Sequence, residues 1–98
     1  MKLVKKNTVE HIMKAVTDVS GYSAEELRSS KQHGITSWAH LGIYVANQSG
    51  LTIEDASALF GRHFATGHAC IKKVKHNFED VEADIKDIIA SKMKHEIE

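Results

Sequence analysis

Apolar residues recur along the chain at the three- and four-residue spacing of amphipathic helices. The first such pattern starts after Asn7 or Thr8, either of which can cap a helix, and it ends at Gly21. Its apolar positions are Val9, Ile12, Met13 and Val16. A first helix is therefore predicted between these limits.

A short helix and a polar loop follow. Ser23 and Glu26 form a capping box, in which each side chain accepts the backbone N–H of the other residue. This box predicts a short helix that holds Leu27. Residues 29–34 are polar and predict a loop.

The next segment is the most apolar part of the chain, since residues 35–50 carry no charge. A helix is predicted from Thr36 or Ser37 to a stop at Gly50. Its apolar positions are Trp38, Leu41, Ile43, Tyr44 and Val45. A helix without charged residues is expected to be buried on most sides, so we predict that it lies at the centre of the fold.

Two further helices are predicted on either side of a glycine. Thr52 caps the first, Gly61 breaks it, and the second begins between Phe64 and Thr66. The positions predicted to face inward are Ile53, Ala56, Leu59, Phe60, Ile71, Val74 and Phe78. The apolar series continues through residues 81, 85, 88 or 89, and 93. We favour a break near Asn77, where the charge changes sign, over one long helix.

The composition is that of a single soluble helical domain. The chain has 98 residues, of which 42% are hydrophobic, with no proline and six glycines, too few turn residues for an all-β fold. We therefore expect one all-α domain of five or six helices, with a core over about residues 8–93. The single cysteine, Cys70, forms no internal disulfide and is expected to be a small buried hydrophobe. No segment has the length of a signal peptide or a membrane span, so a cytoplasmic location is expected.

The net charge is zero, but the charge is unevenly distributed. Residues 62–76 carry four bases and no acid, whereas residues 77–98 carry three bases and seven acids. The basic segment holds Arg62, Lys72, Lys73 and Lys75, with His63, His68 and His76 beside them. Phosphate binding depends on an excess of Lys and Arg, so this segment is a candidate nucleic-acid surface. Short charge blocks also arise on ordinary solvated helix faces.

The helices on either side of Gly61 have the layout of a helix-turn-helix, whose second helix enters the major groove of DNA. Free N–H groups at its start attract phosphate. Ala65 would allow close approach to the bases, and Thr66 could offer a hydroxyl or a methyl group to a base edge. The residues predicted to meet flanking phosphates are Lys72 and then Lys75 or His76. Helical domains that bind no DNA show the same pattern.

The run over residues 59–74, Leu-Phe-Gly-Arg-His-Phe-Ala-Thr-Gly-His-Ala-Cys-Ile-Lys-Lys-Val, resembles the signature of the C-terminal domain of the bacterial replication initiator DnaA. That signature is an apolar residue, then Phe-Gly-(Gly)-Arg-Asp-His-Thr-Thr-Val, then a helix ending in Lys-Ile. The resemblance extends from Thr8 to about Met93 with one deleted glycine. It implies a stand-alone, Trp-repressor-like helix-turn-helix domain that binds double-stranded DNA, with a role in replication initiation or its regulation. The family's ATPase is absent, since the chain has no P-loop motif.

The resemblance also implies a set of DNA-binding residues. Arg62 falls on the signature arginine, Thr66 on the second threonine and Lys73 on the late lysine of the recognition helix. In the family, a basic loop before the central helix reaches the minor groove and the backbone, and Lys31 and His33 stand in that loop here. The implied set is Lys31, His33, Arg62, His63, Phe64, Ala65, Thr66, His68, Lys72 and Lys73.

The chain departs from the family pattern at the base-reading positions. His63-Phe64 replaces Asp-His, and Ala65 replaces the first threonine. Gly67 replaces valine, at a cost of about 1 kcal/mol in helix propensity. Two positions that are usually basic are Ser37 and Ala39. The resemblance thus implies the fold and the binding mode, and it does not imply recognition of the replication-origin box.

Several side chains have two interpretations. Phe64 could stack on a base or pack under the turn, and His63 could bind a base or a phosphate or be an ordinary exposed turn residue. Thr66 could touch a base or only cap the helix. Arg62 is expected to make a bidentate phosphate contact beside the helix start.

Other classes of function have weaker support. Only His63 and His68 approach the spacing of zinc ligands, and Cys70 lies too far round the helix to join both, so no metal or cofactor is expected. No catalytic or dinucleotide motif is present, and the paired acids stand at helix starts, where the helix dipole explains them. We expect no enzymatic activity, no small-molecule substrate and no membrane partner. The alternative is a protein–protein interaction module that has lost DNA binding and docks a partner through its acidic C-terminal segment.

Overall fold

The computed structural model describes residues 6–97, and the side chains of residues 9–97. Within that range the chain folds into six helices and no strand, which confirms the all-α prediction. The helices are α1 (Lys6–Ser20), α2 (Ala24–Ser29), α3 (His33–Gln48), α4 (Ile53–Leu59), α5 (Phe64–His76) and α6 (Phe78–Ile97). The predicted break near Asn77 is confirmed, because Asn77 is the C-cap of α5 and α6 begins directly after it.

Glycines end three of these helices, as the sequence predicts. Gly21, Gly50 and Gly61 all have positive φ, the left-handed conformation that other residues rarely adopt. After α4, the Arg62 N–H donates to the Ser57 carbonyl at 2.9 Å and the Gly61 N–H donates to the Ala58 carbonyl at 3.0 Å. These two bonds form a Schellman motif, so the end of α4 is fixed by local hydrogen bonding.

The predicted capping box at the start of α2 is confirmed. The Glu26 N–H donates to Ser23 Oγ at 3.1 Å, and the Ser23 N–H donates to Glu26 Oε1 at 3.2 Å. Leu27, the apolar residue of this short helix, is fully buried.

The central helix α3 is surrounded by the other five. Its buried residues are Ile35, Ala39, Leu41, Gly42, Ile43, Val45 and Ala46. Gly42 lies against the ring of Phe60, and a Cβ at position 42 would overlap that ring. The longest helix, α6, packs along α1 and places Ile85 and Ile88 in the core. The charge-free segment is thus the centre of the core.

Three details differ from the sequence prediction. Asn7 and Thr8 already lie within α1, so neither caps its start. The helix α3 begins at His33, since the Thr36 N–H already donates to the Gln32 carbonyl at 2.9 Å. The Thr36 and Ser37 hydroxyls lie within the helix and donate back to the His33 carbonyl at 3.0 and 2.9 Å, so neither residue is the cap. The last two residues of the predicted 29–34 loop are therefore helical.

Phe78 was predicted to face inward and is instead 36% exposed. The backbone of Asn77 departs from helical geometry, with φ −107° and ψ 26°, so Phe78 is the first residue of α6 and does not continue the apolar side of α5. Its ring lies near the Tyr44 ring, with a centroid separation of 6.5 Å. Over residues 6–97, no helix is both long enough and apolar enough to cross a membrane.

Candidate nucleic-acid interface

The candidate interface consists of α4, the turn at Gly61 and α5. Thr52 caps α4 by accepting the Asp55 N–H at 3.1 Å, and the Schellman motif ends this helix at Phe60. His63 then caps α5, because its Nδ1 atom accepts the Ala65 N–H at 3.2 Å. The helix-turn-helix layout predicted from the sequence is thus built by short-range capping at both of its helices.

Gly67 sets the closeness of α4 and α5. It is buried, and a Cβ at this position would overlap Ser57 Oγ and lie 3.1 Å from Ile53 Cγ2. The Ser57 hydroxyl is itself buried and donates to the Ile53 carbonyl at 2.7 Å. Glycine in place of the family's valine was expected only to lower the helix propensity. In the structure, the absence of a side chain at Gly67 is what allows α4 and α5 to touch.

Arg62 lies at the junction between the turn and the α2–α3 loop. Its guanidinium donates to the Arg28 carbonyl at 2.8 Å and to the Ser30 carbonyl at 3.0 Å. In return, Arg28 Nε donates to the Leu59 carbonyl at 3.2 Å. Arg62 was expected to bind phosphate, but its guanidinium is hydrogen-bonded to the C-terminal end of α2. The contribution of Arg28 was not predicted, because no local pattern marks it.

These bonds place the α2–α3 loop beside the turn. Lys31 lies in that loop, next to Ser30, and is exposed. His33 is the exposed first residue of α3. Of the two nearby positions that are usually basic in the DnaA domain, Ser37 is exposed, but Ala39 is fully buried and could not display a basic side chain at the surface.

The face of α5 that points away from the core carries small residues first and bases later. The buried side of the helix consists of Gly67, Cys70, Ile71 and Val74. The opposite row, spaced at four, three and four residues, consists of Ala65, Ala69, Lys72 and His76, all exposed. One edge of this row carries Thr66 and Lys73, and the other carries Phe64, His68 and Lys75. The candidate residues of α5 thus share one continuous solvent-facing surface.

Three aromatic rings gather at the start of α5. The Phe64 ring lies 4.4 Å from the His63 ring and 6.3 Å from the His68 ring, measured between centroids. Phe64 is 47% exposed, so it does not pack under the turn. Thr66 is exposed within the first turn of α5, and the cap of the helix is His63.

Three cationic side chains act on His40, which lies in α3 and faces α5. Burial lowers the pKa of His40, and the positive charges of Arg62, Lys73 and His33 lower it further. Burial raises the pKa of the Cys70 thiol, while Arg62 and Lys73 act in the opposite direction. Cys70 is only 3% exposed, as predicted for a buried hydrophobe.

A cleft of about 200 Å³ between α3, α5 and α6 brings Lys73 and Asp84 to one opening.

Metal ligands do not cluster in the described part of the chain. Over residues 9–97, no group of three or more His, Cys, Asp or Glu side chains is arranged to hold a metal ion. No family model, curated protein or solved structure matches the chain. The resemblance to the DnaA domain therefore depends on the residues of the 59–74 run and the helices that precede it.

Proposed function

We propose that this chain binds double-stranded DNA through α4 and α5, with α5 in the major groove. The observation that carries the proposal is the solvent face of α5. This face combines small residues near the start of the helix, basic side chains near its end and no acidic side chain. A major groove about 12 Å wide admits a helix, and small side chains allow its first turns to approach the base edges.

The positions of the basic side chains fit contacts to the phosphates that flank a bound site. Lys72 lies on the outward row, two turns from Ala65, and Lys73 lies on the adjacent edge. Lys31, in the loop held beside the turn, would reach a phosphate on the other side of the helix start. Arg62 acts in this proposal by holding that loop in place, because its guanidinium is already bonded to backbone carbonyls.

Binding is expected to be of modest strength. The net charge is zero, and α6 carries Glu79 and Asp80 in its first turn, close to the end of the basic helix α5. These acids repel phosphate within about 8–10 Å, the screening length at ordinary ionic strength. We expect micromolar dissociation constants for arbitrary duplexes, with tighter binding at a preferred site.

Titration of a labelled duplex at several salt concentrations tests the proposal. Wild type should bind at about 50 mM salt, and the affinity should fall as salt rises. Lys72→Ala should weaken binding and lower the salt slope by about one unit. Lys86→Ala, which removes an exposed lysine of α6 paired with Glu82, is the matched control and should bind as wild type does. Absence of wild-type binding at 50 mM salt would reject the proposal.

A specific observation supports a second candidate function, docking of a protein partner. Ile89, Met93 and Ile97 recur every four residues on α6 and are 40%, 54% and 85% exposed. Exposed apolar rows of this kind mark contact surfaces for other proteins. The two candidates are separated by the same titration, since a docking module that has lost DNA binding shows no affinity for duplex at low salt.

A further inference from the structure

The cleft between α3, α5 and α6 has an apolar floor. Leu41 and Val74 line it and are buried, and Trp38 and Val81 line it and are half-buried. Its volume of about 200 Å³ is smaller than the ~300–1,000 Å³ of sites that hold drug-sized ligands. The cleft therefore suits a small ligand with an aliphatic group of the size of one side chain.

Two opposite charges stand at the opening of this cleft. Lys73, near the end of α5, is exposed, and Asp84, in α6, is half-buried. Among residues 9–97, neither of these side chains forms an ion pair or a hydrogen bond. Two other lysines, both in α6, each pair with a glutamate one turn away. The charges of the cleft are thus open to a ligand that carries the complementary pair.

Hydrogen bonds hold the junction of the two helices that carry these charges. Asn77, the C-cap of α5, donates to the Lys73 carbonyl through its backbone N–H at 3.0 Å and through its side-chain Nδ2 at 3.2 Å. Asp84 lies about two turns further along the chain, in α6. A ligand can therefore contact both charges without a rearrangement of the helices.

His40 adds a polar group without a charge to the same cleft. Burial lowers the pKa of His40, and the positive charges of Arg62, Lys73 and His33 lower it further. The imidazole is therefore neutral at neutral pH, where it offers one hydrogen-bond donor and one acceptor. Among the residues that line the cleft, Lys73 is then the cation available to a carboxylate.

We propose that this cleft binds a free α-amino acid with an aliphatic side chain. The carboxylate of the ligand pairs with Lys73, its ammonium group pairs with Asp84, and its side chain covers the floor formed by Leu41 and Val74. An α-amino acid carries both charges on one carbon and its apolar group on the same carbon, which matches two charges at one opening above an apolar floor. This inference goes beyond DNA binding and does not depend on it.

The first experiment titrates the isotope-labelled full chain with L-leucine, without DNA, and follows the binding by NMR. A dissociation constant of about 0.1–1 mM is expected for a ligand of so few atoms. Three further ligands each lack one group: glycine lacks the side chain, 4-methylpentanoate the ammonium group and 3-methylbutylamine the carboxylate. Each should bind at least about 10-fold more weakly than L-leucine. The same loss is expected for 6-aminohexanoate, whose two charges lie at opposite ends.

Protein variants then assign each charge of the ligand to a side chain. Lys73→Gln should bind L-leucine and 3-methylbutylamine with equal, weakened affinity, because the carboxylate has lost its partner. Asp84→Asn should likewise bind L-leucine and 4-methylpentanoate equally. Lys72→Gln and Asp87→Asn change exposed residues of the same two helices outside the cleft, so these matched controls should keep the preferences of wild type. Circular dichroism of each variant checks that it remains helical.

The outcomes are independent of the proposed function. Absence of saturable binding of L-leucine up to about 10 mM overturns the inference, whether or not the chain binds DNA. Glycine or 6-aminohexanoate that binds as tightly as L-leucine overturns it as well. So does a Lys73→Gln or Asp84→Asn protein that still distinguishes its two ligands as wild type does. Failure of the duplex titration would reject DNA binding and leave the result for the cleft unchanged.

Discussion

Arg28 in α2 and Arg62, which follows α4, form a reciprocal pair of hydrogen bonds. Each side chain donates to a backbone carbonyl at the C-terminal end of the helix next to the other residue. Arg62, just after α4, donates to the Arg28 carbonyl at 2.8 Å, and Arg28 Nε donates to the Leu59 carbonyl at the end of α4 at 3.2 Å. Helix C-termini leave carbonyl groups unpaired and carry partial negative charge, so a cation stabilises each of them. The exchange holds α2 against the turn that precedes α5.

This relationship predicts that Arg62→Lys is not a conservative change. A lysine keeps the positive charge but lacks the planar fork that donates to Arg28 and Ser30 together. We expect a loss of about 1 kcal/mol in the free energy of unfolding, since these bonds are partly exposed to solvent. Chemical denaturation measures it, and an unchanged midpoint would show that the bonds contribute no stability. Lys72→Arg, a charge-conserving change on the exposed face of α5, is the control.

Gly67→Ala should destabilise the domain although alanine favours helix. The gain in propensity is about 1 kcal/mol, and overpacking against Ser57 and Ile53 costs about 1–3 kcal/mol. Ala69→Gly, on the exposed side of the same helix, tests propensity alone and should cost about 1 kcal/mol. Ser57→Ala should recover part of the loss in the double variant, because it removes the overlapping oxygen. A Gly67→Ala protein more stable than wild type would contradict the close contact.

Leu41→Ala should cost about 2–5 kcal/mol, as expected for a buried leucine. Leu41 is 5% exposed and belongs to the core side of the central helix α3. Ile89→Ala, at a position that is 40% exposed, should cost much less. Urea unfolding of both variants gives the comparison, and a Leu41 effect below about 1 kcal/mol would remove it from the core.

The free energy of unfolding should decrease as the pH falls below about 6.5, in part because of His40. Burial and the nearby charges of Arg62, Lys73 and His33 lower the pKa of His40 in the folded protein. The unfolded chain therefore binds a proton first, so the contribution is complete above the unfolded pKa and is lost as the pH falls towards the folded value. His40→Gln should flatten the pH dependence over this range. Equal slopes in wild type and variant would assign the effect to other histidines.

Two substitutions on the same edge of α5 should affect DNA binding differently. Lys73→Ala should weaken binding to all sequences alike and reduce the salt slope by about one unit, as the loss of one phosphate contact does. Thr66→Ala should reduce the preference between sequences, by about 1–3 kcal/mol at the preferred site. The two effects are measured by titrating a duplex that the protein has selected from a random pool and a duplex of the same composition in scrambled order. If both variants bind as wild type does, this edge of α5 makes no contact with DNA.

The sequence by itself determined the order of the helices, most of their ends and most of the residues that fill the core. Gly21, Gly50 and Gly61 mark helix ends, and Ser23 with Glu26 marks a helix start, because these features depend on hydrogen bonds between residues a few positions apart. The charge-free central segment was recognisable for a similar reason, since burial of a helix requires apolar residues all round it.

The tertiary structure alone decided how the candidate surface is assembled. Arg62 bonds to carbonyl groups 32 and 34 residues away, and whether Gly67 is a weakness or a contact depends on the crossing of α4 and α5. The exposure of Phe64 likewise depends on what lies beneath the turn. Such contacts follow from the relative orientation of helices, which many residues fix together. A periodic pattern specifies which side of a helix is apolar. It does not specify which backbone atoms of the neighbouring helices come within hydrogen-bonding distance of that helix's side chains.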